Sequence, residues 1–205
     1  MSKTNEPTAR VLGIGGSPRK NGNSDVILKE ILQGVRERGV PAKPVQLRDL
    51  LYKPCVGCEK CRKDKICTGQ TDGMTTLYGD ILKSRGMVLV SPTHNYNVTA
   101  WMKAFIDRLY CFYDYTDKSP RRWKSRLGGQ GRKAVIAAVC EQVTKRDMGF
   151  TLEAMRLPLE ALGYDVVDEL AVFGIFHRGK AKDRKDVMTE ARAMGRKLAG
   201  TLLGS

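Results

Sequence analysis

The chain has 205 residues, of which 41% are hydrophobic, and a formal net charge of +14. This length fits a single domain spanning residues 1–205, and no segment approaches the roughly 18 consecutive apolar residues of a membrane span. Because most of the basic residues are scattered, they argue against nucleic acid as the main partner. The first nine residues lack the apolar core of a secretory signal, so we expect a cytoplasmic protein.

The first predicted element is a buried strand that begins at Val11 and ends at Gly15 and Gly16. A polar loop follows, and an apolar helical period opens at Ser24. Backbone N–H groups at a helix N-terminus attract a phosphate, to which side chains can add donors. The donors expected in this loop are Ser17, Asn21, Asn23 and Ser24. The chain has no Gly-Lys-Ser/Thr of a Walker A loop, and Pro18 interrupts the dinucleotide pattern, so a monophosphate remains.

Apolar runs and amphipathic segments then alternate along the chain. Strands are predicted over 43–47, 87–91, 134–140 and 165–173, and helices over 74–85, 98–110, 150–162 and from 187 to 202. Such alternation indicates an α/β fold, a flavodoxin-like three-layer sandwich whose five-stranded parallel sheet has the order 2-1-3-4-5. In this sheet the loops after strands one and three face one ligand at the carboxyl edge.

The loop after strand three, residues 91–97, has the chemistry to meet a flavin ring, because tight turns expose backbone N–H groups and aromatic side chains can lie against the ring. The expected contact residues are Pro92, Thr93, His94, Asn95, Tyr96 and Asn97. The stretch from Ser91 to Arg108 is similar to the second signature of the NADPH-dependent FMN reductase group, which usually has Tyr at the position of His94. Gly-Ser-Pro-Arg followed by Asn-x-Asn-Ser resembles its first loop, which implies that FMN phosphate is wrapped by Ser17, Arg19, Asn21, Asn23 and Ser24.

Four cysteines, Cys55, Cys58, Cys61 and Cys67, lie close together in a cysteine-rich loop over about 53–72, between strand two and the next helix. Their C-x2-C-x2-C-x5-C spacing lets several thiolates face one [4Fe-4S] cluster, whereas structural zinc more often uses two separated pairs. The pattern resembles the iron-sulfur flavoproteins, a branch of the same family. Cluster-free relatives also keep cysteines here, so a [4Fe-4S] cluster, a loop without metal and a zinc site all stay open. Cys111 and Cys140 are expected in the core.

We therefore expect a redox flavoprotein whose chemistry is carried by FMN rather than by a catalytic side chain. Electrons would come from NAD(P)H or a ferredoxin-like donor and pass through the cluster, and the resemblance implies a homodimer or homotetramer. The alternatives are a cluster-free NAD(P)H-dependent FMN, quinone or azo reductase, and a basic zinc-binding regulatory module that contacts nucleic acid or protein. Residues 118–133 are expected to form a basic connection, and the tyrosines before it to pack against a partner subunit or the flavin edge.

Overall fold

The computed structural model describes residues 10–204. Its strands are β1 Val11–Gly15, β2 Ala42–Gln46, β3 Gly86–Pro92, β4 Tyr113–Tyr115, β5 Trp123–Ser125, β6 Arg132–Val139 and β7 Tyr164–Val172. Its α-helices are α1 Asn23–Glu37, α2 Lys60–Asp64, α3 Gly73–Lys83, α4 Ala100–Arg108, α5 Lys145–Met148, α6 Glu153–Ala161 and α7 Lys185–Leu203. The segment used to judge a secretory signal, residues 1–9, lies outside the described residues.

The main sheet is parallel and has the order β2-β1-β3-β6-β7, which confirms the predicted 2-1-3-4-5 arrangement and the flavodoxin-like fold class. Ile14 in β1 lies between Val45 of β2 and Leu89 of β3. All five strand carboxyl ends therefore meet at one edge of the sheet, where loops can share a ligand.

A two-stranded antiparallel hairpin, β4 with β5, stands apart from this sheet. The sequence interpretation was wrong here, because it made residues 118–133 a connection without strands. Each hairpin strand has only three residues, too few to show a two-residue period.

Helices cover both faces of the sheet, which explains why its central strands are apolar on both sides. On one face α1 and α7 pack against Val11, Val88 and Val90. On the other face α3, α4 and α6 belong to one apolar cluster that includes Leu12 and Ile14. No helix between residues 10 and 204 is long and apolar enough to cross a bilayer.

Several helices in the structure are shorter than the helices predicted from the sequence, because turns or 3-10 segments replace their ends. The first ends at Glu37, and Gly39 follows it with φ +75°, as the glycine stop signal predicts. The helix predicted over 98–110 is α4, whose last turn tightens into a 3-10 helix over Leu109–Phe112. The helix predicted over 150–162 is α6, with the short α5 before it.

Candidate functional site

The loop after β1 forms a polar turn at the start of α1, with buried residues at both of its ends. Ser17 Oγ accepts a hydrogen bond from the N–H of Arg19 at 3.2 Å, and no side chain caps the N-terminus of α1. Ser17, Asn23 and Ser24 are all buried there. The free N-terminal end of this 15-residue helix, together with the two buried hydroxyls, provides the donors that a phosphate group needs.

An arginine–carboxylate pair holds this turn in shape. Arg48 donates to both oxygens of Asp25 at 2.9 Å and to the carbonyl of Ser17 at 3.1 Å. Asp25 also accepts the N–H of Asn21 at 2.7 Å, where the backbone has φ +57°. Because the pair is largely buried and bidentate, it fixes both sides of the turn relative to α1.

The loop after β3 closes into a tight turn. His94 and Asn97 exchange backbone hydrogen bonds at 2.8 and 3.1 Å, and Asn95 and Tyr96 between them have positive φ angles. The N–H of Phe150 donates to the carbonyl of Tyr96 at 2.8 Å. The preceding residue, Gly149, has φ +59°, and a side chain at this position would overlap the backbone of Tyr96. The absence of a side chain at Gly149 thus lets the backbone of residues 149–150 approach the turn closely enough to form this hydrogen bond.

The two loops converge, as the strand order predicts. The hydroxyl of Thr99 donates to the carbonyl of Gly16 at 2.7 Å, and the N–H of Gly16 donates to the carbonyl of Val90 at 2.8 Å. One cavity lies between the loops. The predicted residues that line it are Ser17, Arg19, Asn23, Ser24, Pro92, Thr93 and His94.

Other predicted contact residues lie outside the cavity wall, namely Asn21, Asn95, Tyr96 and Asn97. The Asn23 side chain contributes less than expected, because its amide donates to the carbonyl of His177 at 3.1 Å and accepts the N–H of Ala181 at 3.0 Å. From the end of β6, Glu141 lines the cavity, as its place after the predicted fourth strand suggested, whereas Cys140 beside it does not. The sequence interpretation missed the other lining residues at the ends of β6 and β7, which are Val139, Ile175, Phe176 and Arg178. Their position just after strands of the same sheet was the available signal.

The four cysteines of the cysteine-rich loop line one surface recess of about 210 Å³. Burial raises the pKa of the Cys61 thiol, and the neighbouring thiols of Cys67, Cys55 and Cys58 raise it further by smaller amounts. The backbone approaches closely, since a side chain at Gly69 would meet the sulfur of Cys58. Between residues 10 and 204 no three His, Cys, Asp or Glu side chains are placed to hold a single metal ion. Four cysteine thiols around one recess match the number and type of ligands that a [4Fe-4S] cluster takes.

A buried arginine closes the base of the cysteine-rich loop. Arg108, whose side chain is 1% exposed, donates to Asp72 at 2.7 and 3.1 Å. It also donates to the carbonyl of Lys53 at 2.8 Å and to the hydroxyl of Tyr78 at 3.1 Å. Asp72 in turn accepts the N–H of Met74 and caps α3. Both ends of the loop are thus joined through one guanidinium on α4.

The charge state of Asp72 follows from these contacts. Burial raises the pKa of this carboxyl, but hydrogen bonds from Arg108 and from the Lys53 and Met74 N–H groups lower it by more, so it lies below its ordinary value. A carboxyl with a lowered folded-state pKa contributes stability above its unfolded pKa of about 3.9. That contribution is lost only as the pH falls through the lowered value.

We predict that Arg108→Met lowers the free energy of unfolding by about 3 kcal/mol, because it leaves Asp72 without its buried partner. It also opens the cysteine-rich loop, so the thiols of metal-free protein react faster with a thiol reagent under native conditions. Arg132→Met is the matched control, since this buried arginine donates to the carbonyls of Ile81 and Leu82 at the far end of the sheet. Equal thiol reaction rates in the two variants would contradict the clamp.

The comparisons with known proteins agree with this geometry. An iron-sulfur flavoprotein from Methanocaldococcus jannaschii is 31% identical over 99 residues, 48% of this chain and 51% of that protein. One from Archaeoglobus fulgidus is 36% identical over 98 residues, 48% of this chain and 49% of that protein. The chain thus spans about half the length of the curated relatives it matches.

Among solved structures, a flavodoxin from the domain Archaea has a TM-score of 0.58 at 12% identity, over 95% of this chain and 99% of that one, which shows a shared fold. A model of the NADPH-dependent FMN reductase family matches residues 9–173. These matches confirm the resemblance carried by the two loops and the cysteines. Because the family model covers most of the sequence, the chain belongs to the NADPH-dependent FMN reductases, a family of oxidoreductases.

Proposed function

We propose that the chain binds FMN at the carboxyl edge of its sheet and works as a redox protein. The observation that carries this proposal is the convergence of the loops after β1 and β3 on one cavity. The first-turn N–H groups of α1 and the hydroxyls of Ser17 and Ser24 would bind the phosphate, and Arg19 would add positive charge. Pro92, Thr93 and His94 would contact the flavin ring from the opposite wall.

Cys55, Cys58, Cys61 and Cys67 would hold a [4Fe-4S] cluster. This assignment is supported by the single recess that the four side chains line and by the iron-sulfur flavoproteins among the relatives. The guanidinium of Arg108 would keep the loop closed around the cluster. When bound, FMN supplies hydride and single-electron chemistry, and the cluster supplies single-electron transfer.

The proposal extends to partners. NAD(P)H or a ferredoxin-like donor would supply electrons, and a homodimer or homotetramer would bring the cysteine-rich loop of one copy near the flavin cavity of another. Large apolar side chains exposed around both sites support such an assembly, since monomers rarely leave clustered apolar surface open. They include Val56, Tyr96 and Phe150, which are 66%, 60% and 69% exposed.

Ser24→Ala tests the phosphate contact. A hydrogen bond to a charged group contributes about 1.5–3 kcal/mol, so we expect the Kd for FMN to rise roughly 10- to 100-fold by fluorescence titration of the flavin-free protein. Ser84→Ala is the matched control, because Ser84 is equally buried but hydrogen-bonds the carbonyl of Asp80 at the opposite end of the sheet. An FMN affinity that Ser24→Ala leaves unchanged would argue against a phosphate in this loop.

Anaerobic purification tests the cluster. The protein should contain FMN, iron and acid-labile sulfide, with broad absorption beneath the flavin bands. Cys58→Ser should lose iron and the broad absorption but keep FMN. Cys140→Ala, outside the cysteine-rich loop, should keep iron, the broad absorption and FMN. Flavin without iron in the wild-type protein would instead identify a cluster-free reductase, and a colourless protein would point to a zinc-binding module.

A further inference from the structure

The β4–β5 hairpin, residues 113–125 and called here the aromatic hairpin, is attached to the cysteine-rich loop rather than to the central sheet. Lys65 pairs with Asp114 at 2.7 Å, and Arg62 pairs with Asp117 at 3.3 Å. The guanidinium of Arg126, just after the hairpin, donates to the carbonyl of Lys65. These contacts fix the hairpin beside the thiols.

Aromatic rings connect the cysteine recess to the surface of this hairpin. Tyr110 lines the recess with the four cysteines and stacks on Tyr115, with ring centroids 5.1 Å apart. Tyr113 lies 6.4 Å from Tyr110 and 5.1 Å from Trp123. Trp123 is 51% exposed, so the series of rings ends in solvent. Because the rings are packed against one another, an electron would not have to tunnel across an empty gap between the surface and the recess.

The same surface is strongly basic. Residues 113–126 contain five Lys and Arg residues and two Asp residues, a net charge of +3. Among the described residues, the charged groups of Lys118, Arg122 and Lys124 take part in no ion pair, so their charge is available to a partner. Two copies of the chain would not pair hairpin to hairpin, because residues 113–126 of each carry the same net charge of +3, whereas an acidic protein complements it.

From this juxtaposition we infer that the aromatic hairpin is the docking surface for an acidic protein that carries single electrons. One electron passes between the redox centre of the carrier and the cluster along the rings from Trp123 to Tyr110. One centre is oxidised and the other reduced, and no bond or proton is transferred. The inference rests on the proposed cluster. Single-stranded nucleic acid also binds aromatic and basic surfaces, but its binding would not explain why the rings extend inward to the cysteine recess.

A charge-reversal experiment tests the surface directly. We expect Arg122→Glu with Lys124→Glu to raise the Kd for a plant-type ferredoxin about tenfold, measured by calorimetry on the anaerobically purified protein at low salt. The paired control is Arg38→Glu with Lys83→Glu, which reverses two exposed charges near the amino end of the sheet and should change Kd less than twofold. Equal affinities in the two double variants would overturn the docking surface.

The rings are tested separately from the charges. Trp123→Leu should slow single-turnover electron transfer from reduced ferredoxin about tenfold at nearly unchanged Kd, while Trp123→Phe should keep the rate. A rate that neither variant changes would overturn the ring path. Binding of a single-stranded oligonucleotide that the charge reversal abolishes, with ferredoxin affinity unaffected, would also overturn it. Iron-free wild-type protein would refute the proposed cluster itself, a result distinct from either.

Discussion

In the parallel pairing of β1 with β3, Gly15 lies beside Val90, and the N–H of Gly16 continues the ladder to the carbonyl of Val90. β2 pairs with one side of β1, and β3 pairs with the other side. The strand order therefore reverses between β1 and β3, and their loops separate into a crevice. Thr99 then bonds back to Gly16, so the phosphate turn and the flavin turn are held at a fixed distance.

Two arginines, one largely buried and the other fully buried, turn these loops into defined sites. Arg48 with Asp25 shapes the phosphate turn, and Arg108 with Asp72 closes the cysteine-rich loop. A bidentate guanidinium suits this role, because it joins several carbonyls and a carboxylate with fixed geometry. The Arg108 pair also links the sites, since this residue ends α4, the helix that begins just after the flavin turn.

The sequence predicts the parts of the fold that depend on local pattern. The apolar runs of β1 and β3, the helical periods and the turn residues at Gly16 and Pro92 led to the strand order and to the two converging loops. The cysteine spacing identified the second site in the same way. Such features can be predicted from the sequence because buried parallel strands and turns constrain the residue type at a few consecutive positions.

Long-range contacts were not predictable in this way. Nothing near Arg48 or Arg108 in the chain marks them as clamps, because their partners are 23 and 36 residues away. The Asn23 amide was expected to face phosphate, but tertiary contacts 154 and 158 residues away occupy it. The aromatic hairpin was missed because its strands are short and its register depends on packing against the cysteine-rich loop.

The central claim is that two loops distant in sequence bind one ligand, and NMR tests it most directly. On titration of flavin-free protein with FMN, the backbone amide resonances of the non-proline residues in 16–24 and of Thr93 and His94 should shift together and saturate with a single Kd. If only one loop responds, or if the two loops saturate at different FMN concentrations, the shared site does not exist.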